Sequence, residues 1–265
     1  MARLLTLDVD GTLLHSDNTL SDRNRQAVAA ARAGGWTVAL ATGKPPWAIA
    51  RLAETLGLDG PHIVANGCAL WRTDGSMELL AQIPPAGVHQ ALAFGAGAGL
   101  PRAVSGPAGV FCEAHWGVGE LTAALRDVGE EPPTTVPDAV TVEPRPWKVI
   151  LIVPVADPNP RVAPVAGGQW VRTHPHFFET LPAGAGKGEA ARRLCARLGV
   201  ARHDVLAIGD GENDLDLLRW AGCGVAMAHA PAPVRAVAAH VTAGNDEDGV
   251  ALALEALLPT WSGAG

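Results

Sequence analysis

With 265 residues, 48% hydrophobic and 18% charged, the chain can bury a large core as one big domain or two smaller ones, and its 31 glycines and 21 prolines stay below the fraction that marks low complexity. A net charge of −7 without any basic run argues against a general nucleic-acid binder, because phosphate backbones are held by clustered Lys and Arg. Cys68, Cys112, Cys195 and Cys223 are too dispersed for a zinc knuckle or a disulfide framework, the apolar run before Asp8 is too short for a signal peptide, and Pro84 and Pro85 interrupt the uncharged stretch from Leu79 to Pro101, so no membrane span and a cytoplasmic location are expected.

Leu4 to Val9 is a short apolar run ending in a carboxylate, the pattern of a parallel strand buried on both faces. Ser21 caps a helix through about Arg32 that Gly34 and Gly35 close. Trp36 to Ala41 reads as a second buried strand, and Pro46 opens a second helix. His62 to Ala65 is a third strand, Asn66-Gly67 a hairpin signal, and Met77 to Ile83 a returning strand. Strands alternating with helices imply a doubly wound, mostly parallel α/β sheet.

From Pro84 onward prolines become frequent. Short strand-like pieces at Val140 to Val142 and Val149 to Val153 stand among helical stretches near Gly87 to Phe94 and Glu120 to Val128. Residues 84–184 are therefore expected to form an inserted α/β cap, and residues 1–83 and 185–265 a discontinuous core. The alternation resumes with a helix at Gly188 to Leu198, a strand at Val205 to Ile208, a helix at Leu215 to Trp220, a strand at Gly224 to Met227 and a closing helix at Val250 to Leu258.

Three polar clusters each follow a predicted strand: Asp8 to Thr12, Thr42-Gly43-Lys44, and Gly209 to Asp214. Ligands of open parallel sheets bind outside the carboxyl ends of the strands, so the clusters are expected to converge. Residues i and i+2 of an extended segment project to one side, about 6.6 Å apart, which lets Asp8 attack a phosphate ester while Asp10 serves the leaving oxygen as acid and water as base. A lone Asp-x-Asp reads more readily as a solvated turn or simple metal site, and the accompanying clusters change that balance. Several carboxylates and an anionic substrate cannot share a pocket without a cation. Oxygen ligands suit Mg²⁺, assigned to Asp8, the main-chain carbonyl of Asp10, Asp210 and, through water, Asp214, whose other reading is a helix-start acid. Thr42 and Gly43 offer a hydroxyl and a backbone N–H to phosphate. Lys187, among glycines, offers a flexible point charge, although most such lysines are merely exposed.

Asp8-Val9-Asp10-Gly11-Thr12-Leu13-Leu14, Thr42-Gly43, Lys187-Gly188 and Gly209-Asp210-Gly211-Glu212-Asn213-Asp214, in that order, resemble the four motifs of the haloacid dehalogenase superfamily. The long insert, Ala65-Asn66-Gly67 and Asn245 to Val250 are similar to the Cof-like branch with its large α/β cap. The resemblance implies Asp8 as nucleophile, Asp10 as acid and base, Thr42 and Lys187 on phosphate, Asp210 and Asp214 on magnesium, and adds Asn213 near the phosphate. Two departures stand out: Lys44 replaces a usual Arg, and Ala228-His229-Ala230 replaces Gly-Asn-Ala, with His229 read as a loop residue.

A magnesium-dependent phosphatase acting on a small phosphorylated metabolite, such as a sugar phosphate, is the function expected. A phosphomutase has the same core residues, a carbon–halogen hydrolase has no use for Asp10, a receiver domain is far shorter, and a non-catalytic phosphometabolite binder leaves the filled positions unexplained. His115, Trp116, Lys148, Arg172, His174 and His176 are cap residues able to line a pocket, none singled out. The leaving group and oligomeric state stay open.

Overall fold

β1 (Arg3–Leu7) is apolar toward both sides, with Leu4, Leu5 and Leu7 wholly buried, and this places it inside a sheet instead of at an edge. The computed structural model describes residues 2–154 and 162–261; residues 1, 155–161 and 262–265, which the expected core and cap segments include, lie outside the described part, as does the side chain of His174. α1 (Asp22–Ala33) follows, with the Ser21 hydroxyl accepting from the Asn24 N–H at 3.0 Å. Next come β2 (Trp36–Leu40), α2 (Pro46–Thr55), β3 (His62–Val64), β4 (Ala69–Trp71) and β5 (Met77–Leu79). The middle of the chain forms α3 (Pro85–Gly97), β6 (Arg102–Gly106), β7 (Gly109–Cys112), α4 (Val118–Asp127), β8 (Thr134–Thr135), α5 (Ala139–Val142), β9 (Lys148–Ile152), β10 (Gly168–His174) and β11 (Phe177–Pro182). It ends with α6 (Lys187–Leu198), β12 (Val205–Gly209), α7 (Leu215–Trp220), β13 (Cys223–Ala226), α8 (Ala232–Val237), β14 (His240–Val241) and α9 (Gly249–Leu257). Two compact units result, Met1–Leu80 with Gly186–Gly265, and Ala81–Ala185.

In the first unit the sheet runs β14-β13-β12-β1-β2 with every neighbouring pair parallel. Leu7 is level with Leu40 on one side and Ile208 on the other, so Asp8, Thr42 and Asp210 leave the sheet at the same edge. The connection β1 to β2 steps one way across the sheet and β12 to β13 the other. Right-handed crossovers therefore put α1 and α7 on opposite faces. Leu4, Ala39, Val205 and Ala207 pack with Ala190, Leu194, Leu217 and Leu218 of α6 and α7, while α1 covers β2 and packs on α9.

The Asn66-Gly67 hairpin signal is realised between β3 and β4, but the connection spans residues 65–68 and the returning strand β4 was not expected; β5 is shorter than its predicted span. His62 braces this region. Its Nδ1 accepts the Leu40 N–H at 3.1 Å while Nε2 faces the Leu58 carbonyl at 3.4 Å, and burial pushes its pKa down to about 4.

The second unit is a six-stranded sheet, β10-β11-β9-β6-β7-β8, antiparallel except for the β7–β8 pair. Val88, Ala91, Leu121 and Leu125 of α3 and α4 share its core with Val104 and Leu151. Val140 to Val142, expected as a strand, is the helical turn α5. The Asp138 carboxylate accepts from the Thr141 N–H at 3.0 Å and its hydroxyl at 2.8 Å, and that cap overrides the strand preference of β-branched residues. Among the described residues no helix is long and apolar enough to cross a membrane, and all four cysteines are buried thiols.

Candidate active site

Asp8 follows β1 directly, and its N–H donates to the Ile208 carbonyl at 3.0 Å, which ties it to β12. The chain then turns through Val9–Leu13 with Gly11 at φ 72. A side chain at Gly11 is excluded by space as well as by conformation: a Cβ there would stand 2.6 Å from Asp210 Oδ2. Thr12 is fully buried and donates its hydroxyl to Asp210 Oδ1 at 2.8 Å.

Asp8, Asp210 and Asp214 each bring a carboxylate oxygen within 4.8 Å of the others. Lys187 lies among them with no exposed surface, and its ammonium donates to Asp8 Oδ1 and Asp214 Oδ1, both at 2.7 Å. Burial pushes Asp8 up to about 7, against the pull of Lys187 and with a further push from Asp210. Asp214 is raised to about 6, again by burial and against Lys187, and Asp210 is raised by burial and by Asp214. Burial works against the charge of Lys187, yet Asp214 and Asp8 outweigh it and hold the lysine protonated well above its ordinary range. One ammonium thus faces three carboxylates, and the imbalance calls for another positive charge. The donors are hard oxygens, as Mg²⁺ prefers. Asp214 has both oxygens engaged, Oδ1 by Lys187 and Oδ2 by the N–H groups of Asp210 and Gly211 at 3.1 and 2.9 Å, so it steadies the turn, and the freer oxygens belong to Asp8 and Asp210.

Thr42 is buried after β2, its hydroxyl accepting the Lys44 N–H at 3.1 Å. The Lys44 ammonium stands 3.0 Å from Asp10 Oδ1, and Asp10 is the more open of the two acids in its motif, at 45% side-chain exposure against 8% for Asp8. The negative charge of Asp10 is among the influences raising Asp8. Asn213 donates to Asn66 Oδ1 at 2.9 Å, and Gly43 lies so near Asn66 that a Cβ would come within 3.0 Å of the same oxygen. The three predicted clusters and Lys187 are therefore connected by direct contacts or through Asn66.

Four features were not assigned roles from sequence. Thr12 orients Asp210, and its place in the Asp-Gly-Thr run was the only signal. Asn66 joins two loops. Asp216 Oδ2 accepts the Gly188 N–H at 2.9 Å and so fixes the start of α6. His229, read as a loop residue, has Nε2 3.5 Å from Asp210 Oδ2. Among the cap residues considered, Trp116 is packed beneath the Arg102 guanidinium, Lys148 is buried 2.8 Å from Glu179, and Arg172 donates to the Pro175 carbonyl at 2.5 Å.

Comparison with known proteins bears on the family and the fold. Residues 5–254 match the model of the haloacid dehalogenase-like hydrolases. YxeH of Bacillus subtilis is 30% identical, over 97% of this chain and 99% of its own. The 5-amino-6-(5-phospho-D-ribitylamino)uracil phosphatase YitU of the same organism is 25% identical over 94% of both chains. A solved phosphatase of this superfamily from Bacteroides thetaiotaomicron superposes with a TM-score of 0.82 at 25% identity, over 96% of this chain and 94% of its own. Motif order, sheet topology and these likenesses agree that the chain belongs to the haloacid dehalogenase-like hydrolases, as a phosphoric monoester hydrolase of their Cof-like branch.

Proposed function

We propose that the chain is a magnesium-dependent phosphatase that hydrolyses a small phosphorylated metabolite, a sugar phosphate or similar, through an aspartyl-phosphate on Asp8. The observation that carries the reading is the buried grouping of Asp8 with Asp210, Asp214 and Lys187, in which three acids face one lysine. Asp8 attacks phosphorus, and the departing alkoxide takes its proton from Asp10, the exposed acid beside Lys44. Asp10 then removes a proton from water, which attacks the phosphorus of the acyl phosphate, releases inorganic phosphate and restores Asp8. Thr42, the Gly43 N–H, Lys187 and Asn213 hold the phosphoryl oxygens, their donors replacing lost water contacts. Asp8, the Asp10 carbonyl and Asp210 would hold Mg²⁺, with Asp214 behind them; when bound, the ion offsets the charge that otherwise keeps an anionic ester away from a carboxylate. Residues 81–185 would act as the cap that selects the leaving group. The test is phosphate release from a broad panel of phosphate monoesters, with magnesium, with EDTA, and with Asp8→Asn. Release that needs magnesium and vanishes in the variant is expected. No release from any ester at high protein concentration, or full activity of Asp8→Asn, overturns the reading.

A further inference from the structure

Ala65, Asn66 and Gly67 occupy three consecutive left-handed positions, with φ of 50, 55 and 86. Two of the three carry side chains, and such a run persists only where its surroundings impose it. The contacts around it connect loops that approach the site from different parts of the chain. The Asn66 N–H donates to the Thr42 carbonyl at 3.0 Å, and its side-chain Oδ1 accepts from Asn213 Nδ2 at 2.9 Å. Its carboxamide fills the space where a side chain at Gly43 would stand. Gly67 presses on the segment before Lys187 so closely that a Cβ would lie 2.2 Å from the Gly186 carbonyl oxygen. Asn66 itself is 2% exposed, and its Nδ2 has no hydrogen-bond partner. A buried amide with an idle donor costs stability, so this side chain is not accounted for by folding alone.

We infer that Asn66 is a positioning residue for phosphoryl recognition, a conclusion that rests on the phosphatase reading. A carboxamide has two N–H groups in one plane. With one of Asn213's N–H groups spent on Asn66, the plane of its amide is set and the other is held in a single direction. Through Thr42, the same asparagine fixes how near the Gly43 N–H can come to an anion. Asn66 acts through these two neighbours and does not itself touch the substrate.

The measurement is orthovanadate affinity in the presence of Mg²⁺, by calorimetry, for the wild type, Asn66→Gly, Asn213→Ala and the double variant, with melting temperatures alongside. Glycine adopts the left-handed conformation freely, so a residue that served only the turn loses nothing on this change. Asn66→Gly is expected to weaken vanadate binding roughly tenfold, Asn213→Ala by a similar factor, and the double variant by little more than either, because both remove one hydrogen bond. In Asn66→Asp, which keeps the accepting oxygen, Asn213→Ala should again cost about tenfold, whereas in Asn66→Ala, which removes it, Asn213→Ala should cost little. Equal costs in the two backgrounds overturn the positioning role, and this contrast decides the matter should Asn66→Gly fold poorly. Unchanged affinity in Asn66→Gly, or factors that multiply in the double variant, overturns the positioning role. A wild type that binds no vanadate and releases no phosphate instead overturns the phosphatase reading beneath it.

Discussion

The Lys187 ammonium stands 2.7 Å from Asp8 Oδ1, with the lysine side chain wholly enclosed and only 8% of the aspartate open to solvent. Removing one partner of such a pair strands the other charge in a poor solvent, at a cost of about 3–5 kcal/mol. Lys187→Met should therefore lose stability of that order in urea unfolding at pH 7.5 with EDTA, together with all phosphatase activity. A loss below about 1 kcal/mol would show that the ammonium does not compensate Asp8 and Asp214.

Gly11 has φ 72 and faces Asp210 Oδ2 at 2.6 Å from where a Cβ would be. In Gly11→Ala the left-handed backbone costs about 1–2 kcal/mol, and the new methyl group pushes Asp210 away from Asp8. A magnesium titration of the purified variant should show a higher half-saturating concentration and kcat/KM down by at least about a hundredfold, since a misplaced acid loses both charge compensation and orientation.

His62 gives a pH signature away from the reacting groups. Its folded pKa is about 4 against an ordinary 6.5, because burial disfavours the imidazolium. The unfolded chain therefore takes up the proton first. The full contribution to stability is present above pH 6.5 and is lost as pH falls toward 4, by up to about 3 kcal/mol. His62→Phe abolishes this dependence at the cost of an orphaned Leu40 N–H. The stability gap between wild type and variant, read from urea midpoints, should shrink steadily from pH 7 to pH 4. A constant gap would mean that the ring is protonated in place.

Ser21→Ala supplies a control remote from the site. It removes the cap on the Asn24 N–H and should cost about 1 kcal/mol while kcat and KM stay as they are.

The central sheet was legible because parallel strands buried on both faces, such as Leu4–Leu7 and Val205–Ile208, appear as unbroken apolar runs, and the polar residues behind them must emerge at one edge. Other features depend on partners that local sequence does not reveal. Lys187, flanked by glycines, reads as a mobile surface charge, and it is enclosed by acids 179 and 27 residues away. Asn66-Gly67 suits a plain turn just as well as a turn that also joins two loops. In β11 the apolar run is broken by Glu179 and Thr180, and Glu179 is tolerated in the interior because Lys148 of β9 meets it there. The strand preference of Val140 to Val142 gave way to one capping aspartate.

Asp8 and Thr42 are synthesised well before Lys187 and β12, yet β1 takes its second sheet neighbour from β12, and Lys187 reaches Asp8 across 179 residues of chain. A growing polypeptide released only as far as β11 has one flank of β1 unmatched and Asp8 without the Lys187 counter-ion. Competence for chemistry must then wait until Lys187 and β12 have been made, and until that point the open flank of β1 is a place where a chaperone, or another unfinished chain, can bind.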